Sequence, residues 1–338
     1  MPENSSSDLS KPLLVGNVTL RNRAFLAPMS GVTDAPFRKL AWDFGAGLVV
    51  SEMVASQALM EGEGEMLLKL KAAEIPLHVV QLAGREAKWM ALAAQMTEAN
   101  GAHIIDINMG CPAKRVTTGY SGSALMRDLD HAMTLVDAVV GAATVPVTLK
   151  MRLGWDDKTI NAPELAKRAR DAGVQMITVH GRTRCQFYKG NADWNAVKAV
   201  KDAIDVPLVV NGDISGPKTA QEALDASCAD AVMVGRAAYG APWLPAQVAG
   251  QFNGESGVTP DFVKKHHEAM LSFYGIQSGI RQARKHLGWY LEGVKNNSVP
   301  ASLKLQMMTS LDPQEVHSLI DQVFNIDNPS SSMTKTAA

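Results

Sequence analysis

The chain has 338 residues, 46% hydrophobic and 20% charged, enough for one large barrel with or without a small second domain and typical of a water-soluble globular protein. No apolar run approaches the roughly 18 residues of a membrane span, and the polar start Met1–Ser10 lacks the pattern of a secretory signal, so the expected location is the cytoplasm. A net charge of −1 leaves a nucleic-acid partner only a local basic patch, and three widely spaced cysteines, Cys111, Cys185 and Cys228, argue against a disulfide framework and a CxxC metal site.

From Ala24 onward, short apolar runs alternate with helical stretches. The runs are Ala24–Pro28, Gly47–Glu52, Leu77–Gln81, His103–Asn108, Val147–Arg152, Met176–His180, Leu208–Asn211 and Ala231–Gly235. Eight such runs with helices between them predict an α/β fold, a (β/α)8 TIM barrel over residues 11–250. Helical segments fall at Ala87–Asn100, His131–Val140, Ala162–Ala172, Trp194–Ala203 and Pro217–Leu224, with Gly45, Gly101 and Gly173 as helix stops. After Gly250 the strand signal ends. Asp261–Tyr274, Ile276–Gly293, Ala301–Ser310 and Pro313–Phe324 read as helices, predicting a small C-terminal helical domain over residues 251–326. The serine-rich ends, residues 1–10 and 327–338, are expected to be disordered.

In a β/α barrel the active site lies at the C-terminal ends of the strands. Here the runs end in Ser30, Glu52, Gln81, Asn108, Lys150 with Arg152, His180 with Arg182, Asn211 with Asp213, and Gly235 with Arg236. A polar residue at every strand mouth describes a pocket rather than a core. Strand alternation points Thr148, Lys150 and Arg152 into the barrel and Val147, Leu149 and Met151 toward the helices. A lysine beside an arginine there suits an anionic ligand; the alternative is a salt bridge to Glu52. Asn211-Gly212-Asp213 and Gly235-Arg236 sit where such barrels commonly bind phosphate, although both glycines could instead serve tight turns.

Cys111 follows the fourth run between Gly110 and Pro112, a turn able to expose its thiol to the pocket. A free thiol is mostly protonated at neutral pH, so it can donate a proton as well as attack. Cys185 and Cys228 read as small buried residues. His180 has no partner at metal-ligand spacing and is expected to hydrogen-bond a cofactor; no metal is expected. In the C-terminal part, Lys264-Lys265-His266-His267 and Arg281-Gln282-Ala283-Arg284-Lys285-His286 are basic clusters. They are either solvated faces or, with Arg152, Arg182 and Arg184 at the rim, a track for a polyanion.

These residues resemble the tRNA-dihydrouridine synthase family, in particular its bacterial B-type branch. The resemblance rests on Leu26-Ala27-Pro28-Met29-Ser30-Gly31-Val32-Thr33-Asp34, on Asp106-Ile107-Asn108-Met109-Gly110-Cys111-Pro112-Ala113-Lys114 with Gly122-Ser123-Ala124-Leu125, and on Val179-His180-Gly181-Arg182-Thr183-Arg184. Val210-Asn211-Gly212-Asp213-Ile214, Val234-Gly235-Arg236-Ala237 and Arg284-Lys285-His286 complete it, in family order from about residue 12 to residue 325. It implies FMN held by Pro28, Met29, Ser30, Gln81, Lys150, His180, Asn211, Gly212, Asp213, Gly235 and Arg236. It further implies NADPH as reductant, hydride from flavin N5 to uracil C6, and a proton from Cys111 to C5. Asn108 would sit beside Cys111, and a C-terminal domain would grip tRNA, with Arg152, Arg182, Arg281, Arg284 and Lys285 as candidate contacts. Two other readings stay open on residues alone: an FMN barrel acting on a free pyrimidine, and a phosphate-binding barrel that binds RNA without catalysis.

Overall fold

The computed structural model describes residues 8–254, 258–293 and 299–325. The expected terminal tails lie outside these, except residues 8–10, which form a turn tied in place where the Arg23 N–H donates to the Leu9 carbonyl. The chain first makes an antiparallel hairpin of β1 (Leu13–Val15) and β2 (Val18–Leu20). The parallel strands follow as β3 (Ala24–Leu26), β4 (Leu48–Val49), β5 (Met53–Ala55), β6 (Val79–Ala83), β7 (Ile104–Met109), β8 (Val147–Arg152), β9 (Met176–His180), β10 (Leu208–Asn211) and β11 (Ala231–Val234).

These nine strands form one parallel sheet in the order β4-β3-β11-β10-β9-β8-β7-β6-β5, curled into the expected barrel. Of its two end strands, β4 lies within the second run, Gly47–Glu52, and β5 begins just after it. Gly47–Glu52 was expected as one strand, but the stretch between β4 and β5 leaves the ladder at Val50–Glu52. Ser51 spans the break: its N–H donates to the Val79 carbonyl and its Oγ accepts from the Gln81 N–H. The N–H groups of Ser51 and Gln81 are therefore satisfied without a continuous strand.

The hairpin, which the sequence reading missed, buries Leu13, Val15 and Leu20 in one cluster with Phe25, Val79, Met176, Val209 and Met233. Its strands are three residues each, too short to show a period. Gly16, at φ +58°, provides the turn between them. The helices reproduce the expected spans within a few residues: Ala87–Ala99, Leu129–Ala142, Ala162–Asp171, Trp194–Lys201 and Pro217–Ser227. Gly45, Gly101 and Gly173 all take positive φ at helix ends, as a left-handed cap requires.

The chain divides into two compact units. One holds the barrel with Trp243–Asn253; the other holds Tyr239–Pro242 and the chain from Gly254 on. Among the described residues the second unit has four helices, Pro260–Tyr274, Ile276–Glu292, Ala301–Thr309 and Pro313–Asn325. Val263, Leu287, Tyr290, Met307, Ile320 and Val323 form its core, and Tyr239 stacks on Trp289 at 4.2 Å. No helix among the described residues is long and apolar enough to cross a membrane.

Candidate active site at the barrel mouth

The floor of the mouth is a network of buried polar side chains on β6, β7 and β8. Strand alternation aims Asp106 and Asn108 at the same face of β7, and register places Asp106 between Gln81 and Thr148. Gln81 Nε2 donates to Asp106 Oδ2 at 2.7 Å, Thr148 Oγ1 to Asp106 Oδ1 at 2.6 Å, and Asn108 Nδ2 to Gln81 Oε1 at 2.7 Å. Burial raises the Asp106 pKa, with the Thr148 and Gln81 hydrogen bonds and Lys150 opposing it. Asp106 was not among the expected site residues. The i, i+2 spacing to Asn108 is the signal that would have found it.

Asn108 faces upward with its other end. Its Oδ1 accepts from the Gly110 N–H at 3.2 Å and the Cys111 N–H at 3.0 Å, so one amide fixes the turn that carries the thiol. Ser123 closes the loop from the far side: its Oγ (2.8 Å) and its N–H (3.1 Å) both donate to the Cys111 carbonyl. Gly122, at φ +60°, brings this segment in, and a Cβ there would lie 2.9 Å from that carbonyl. Cys111 is partly buried and all three cysteines are free. Cys185 is exposed, against the expectation of a buried residue, because it sits in the loop after β9 rather than on an element.

Lys150 lies opposite Asn108 in the β7–β8 register. Its Nζ donates to Asn211 Oδ1 at 3.1 Å, while Glu52 Oε1 accepts from the Gly31 N–H at 2.6 Å, so the alternative Lys150–Glu52 bridge is not formed. Burial, and then Arg152, lower the Lys150 pKa to about 8. His180, paired in register with both Arg152 and Asn211, is held well below the usual histidine range by burial and by Arg152, Lys150 and Arg182. A neutral imidazole facing Arg182 Nη1 through Nε2, at 3.3 Å, keeps its proton on Nδ1.

The phosphate-loop positions have the backbone the expectation needs. Gly212 at φ +115° and Asp213 at φ +56° are consecutive left-handed residues, and a Cβ on Gly212 would meet the His180 ring at 2.8 Å. Gly235 differs: a Cβ there would meet nothing nearer than Asn211 Nδ2 at 3.9 Å, so the protein's own packing does not demand glycine. Bare backbone facing open space fits close approach by a ligand. The Asp213 carboxylate is committed to Arg182, at 2.9 and 2.6 Å, and to the Ala192 N–H at 2.7 Å. Only its backbone is left to face an anion. On the first loop, Met29 is anchored through its N–H to Thr33 Oγ1 at 2.9 Å, with Pro28 before it and Ser30 exposed beside it.

The expected rim arginines divide. Arg152 and Arg182 are 1% and 2% exposed, with their guanidiniums occupied by carbonyls and by Asp213, so they brace the mouth instead of lining an open track. Arg236 keeps half its side chain exposed. Arg184 packs on Trp155, whose ring also receives Arg127.

The C-terminal basic clusters shrink in the same way. His266, His267 and His286 are buried core residues, with pKa values lowered by burial to about 3, to about 4 and well below the usual range. Lys264 pairs with Asp321, and Arg284 donates to the Thr309 and Ser310 carbonyls at the end of the Ala301–Thr309 helix. Lys285 Nζ donates to Gln282 Oε1, and Arg281 is exposed.

The sequence matches the family described as dihydrouridine synthase (Dus) over residues 25–326. It is 56% identical over 299 residues to a probable tRNA-dihydrouridine synthase of Rhizobium leguminosarum bv. phaseoli, covering 88% of this chain and 94% of the relative. It is 39% identical over 320 residues to tRNA-dihydrouridine synthase B of Pasteurella multocida (strain Pm70), covering 92% and 96%. Among solved structures, morphinone reductase superposes with a TM-score of 0.53 at 16% identity, over 76% of this chain and 96% of its own. Histamine dehydrogenase from Rhizobium sp. 4-9 gives 0.57 at 14% identity, over 83% and 51%, and both share the fold alone. With the family match spanning almost the whole barrel and the helical unit beyond it, this chain belongs to the dihydrouridine synthase family of oxidoreductases.

Proposed function

We propose that the chain reduces uridines of tRNA to 5,6-dihydrouridine, with FMN as its cofactor and NADPH as reductant. The observation that carries this reading is the Cys111 turn: a lone thiol at the barrel mouth, its two turn N–H groups held by Asn108, opposite Lys150 on the next strand.

The donor set fits a phosphorylated, electron-accepting ring. Lys150 is a buried cation with a neutral amide as hydrogen-bond partner, His180 offers Nδ1–H, and Gln81 with Asn211 fixes polar edges below. Gly212, the Asp213 backbone, Gly235 and Arg236 suit the phosphate, and Pro28, Met29 and Ser30 suit the loop over the ring. When bound, FMN supplies hydride to C6 of the base. The protein's own part is then to present the uracil edge to that face and to place the Cys111 thiol proton at C5. Asn108 serves by holding the thiol's backbone, and Asp106 by holding Gln81. The helical unit contributes RNA contacts, for which Arg281 is exposed, while Arg284 and Lys285 have partners of their own that RNA would have to share.

Cys111→Ala is expected to purify yellow, to be bleached by NADPH at the wild-type rate, and to lose dihydrouridine formation by at least about 100-fold, the scale of a missing general acid. Mass spectrometry of tRNA from a strain lacking the protein reads the product. Turnover retained in Cys111→Ala removes the thiol as acid, and a protein that stays colourless after FMN is added removes the flavin.

A further inference from the structure

The loop after β9 is built more rigidly than a connection needs. Two buried guanidiniums hold it from beneath: Arg152 Nη1 donates to the Thr183 (2.9 Å) and Phe187 (2.8 Å) carbonyls, and Arg182 donates to those of Lys189 (3.1 Å) and Gly190 (2.7 Å). Arg152 Nε also donates to the Gly110 carbonyl at 2.9 Å, which ties the same loop to the Cys111 turn. Outward, the clamped backbone presents Phe187 and Tyr188, 44% and 42% exposed, with rings edge to face at 4.6 Å. Phe187 stands at φ +56°, a conformation a bulky residue seldom adopts. Arg236 stands over the Tyr188 ring at 4.5 Å.

We propose that Phe187 and Tyr188 form a stacking platform for an unpaired tRNA base next to the target uridine. The inference rests on the reading of tRNA as substrate. The two rings, braced by each other and by Arg236 (4.5 Å) and Arg152 (5.6 Å) against Tyr188, still leave 44% and 42% of their residues' surface in solvent. Every nucleobase has a face that matches an exposed ring, and a base to be reduced must leave its stack, exposing its neighbours. Charge complementarity favours RNA over an apolar partner. Lys189 follows Tyr188 in the loop, and Arg184 reaches Thr117 on the short helix that begins with exposed Lys114 and Arg115. Those cations suit the phosphates on either side of a stacked base.

The test uses FMN-loaded enzyme and total tRNA from a strain lacking this protein, reading Kd, KM and kcat for dihydrouridine. Phe187→Leu and Tyr188→Leu should each raise Kd and KM roughly 5- to 100-fold, the range of a lost base–aromatic stack, with kcat within about twofold. Tyr188→Phe should behave as wild type, because the ring and not the hydroxyl stacks. Unchanged Kd in the double Leu variant overturns the platform, as does a Tyr188→Phe variant as weak as Tyr188→Leu. Flavin lost together with RNA affinity also overturns it, by reducing Tyr188 to a support for Arg236. A wild type that binds tRNA but forms no dihydrouridine sinks the parent reading, while the Kd ratios still decide the platform.

Discussion

Lys150 shows how much the fold bears for its site. Its pKa stands at about 8 against an ordinary 10.5, chiefly through burial. Below pH 8 the folded and unfolded chains both carry the proton, and the fold bears the full cost of a buried charge, about 3 kcal/mol at 1.4 kcal/mol per pKa unit. Between pH 8 and 10.5 the folded protein releases its proton first, so this cost fades as pH rises. Lys150→Met should therefore stabilise the flavin-free protein by roughly one to three kcal/mol at pH 7, an advantage that vanishes near pH 10.5, and should weaken FMN binding. Urea unfolding at both pH values, beside an FMN titration, checks this; a variant less stable than wild type at pH 7 would refute it. The position was legible in the sequence because alternation in Val147–Arg152 aims Lys150 inward. Its partner was not: whether it meets Glu52 or Asn211 depends on which strand mouths face each other, and only the closed barrel decides that.

At the scale of elements, the loops after strands do the positioning, and their backbone conformations set the tolerance to change. Gly212 needs both a positive φ and the absence of a Cβ, since the His180 ring lies 2.8 Å from where that carbon would be. Gly212→Ala should lower stability by more than about 1 kcal/mol and displace His180. The FMN Kd should rise with it, whereas Gly235→Ala, where there is open space in the protein, should cost binding but little stability. Differential scanning calorimetry of the flavin-free variants separates the two glycines; equal losses of Tm would contradict the assignment. The sequence reading found both because glycine after a strand is a visible signal. It placed Ser123 only within a motif, with no role in locking the Cys111 carbonyl twelve residues away, and it missed the three-residue hairpin strands, because neither feature carries a local period.

At the scale of the molecule the two units differ in what they buried. The helical unit places His266 and His286 4.7 Å apart and joins His267 Nδ1 to His317 Nε2 at 3.1 Å, with His266 Nδ1 against the Tyr290 hydroxyl at 2.8 Å. Burial foremost, then the neighbouring histidines and Lys285, depress these pKa values to about 3 for His266 and about 4 for His267. Unfolded histidines protonate near pH 6.5, so the stability they bring is fully present above that pH and is lost as pH falls toward 4. The helical unit should thus lose a few kcal/mol between pH 6.5 and 4. Hydrogen exchange at pH 7 and pH 5 should show helix Pro260–Tyr274 losing protection over that interval; protection that holds unchanged down to pH 5 would contradict the reading.

The sequence by itself determined the alternation of strands and helices, the helical C-terminal part, and the polar residue at each strand mouth, because those features repeat at the local periods of 2 and 3.6 residues that side-chain burial imposes. Only the tertiary structure decided which of the charged residues are free to meet a ligand. Read along the chain, Arg152, Arg182, His266, His267 and His286 look like a basic surface. In the folded protein, burial turns the histidines neutral and hands the two guanidiniums to carbonyl groups and to Asp213, while leaving Arg236 and the Phe187–Tyr188 pair open. Charge is a property of sequence, but exposure is set by packing between residues far apart in the chain.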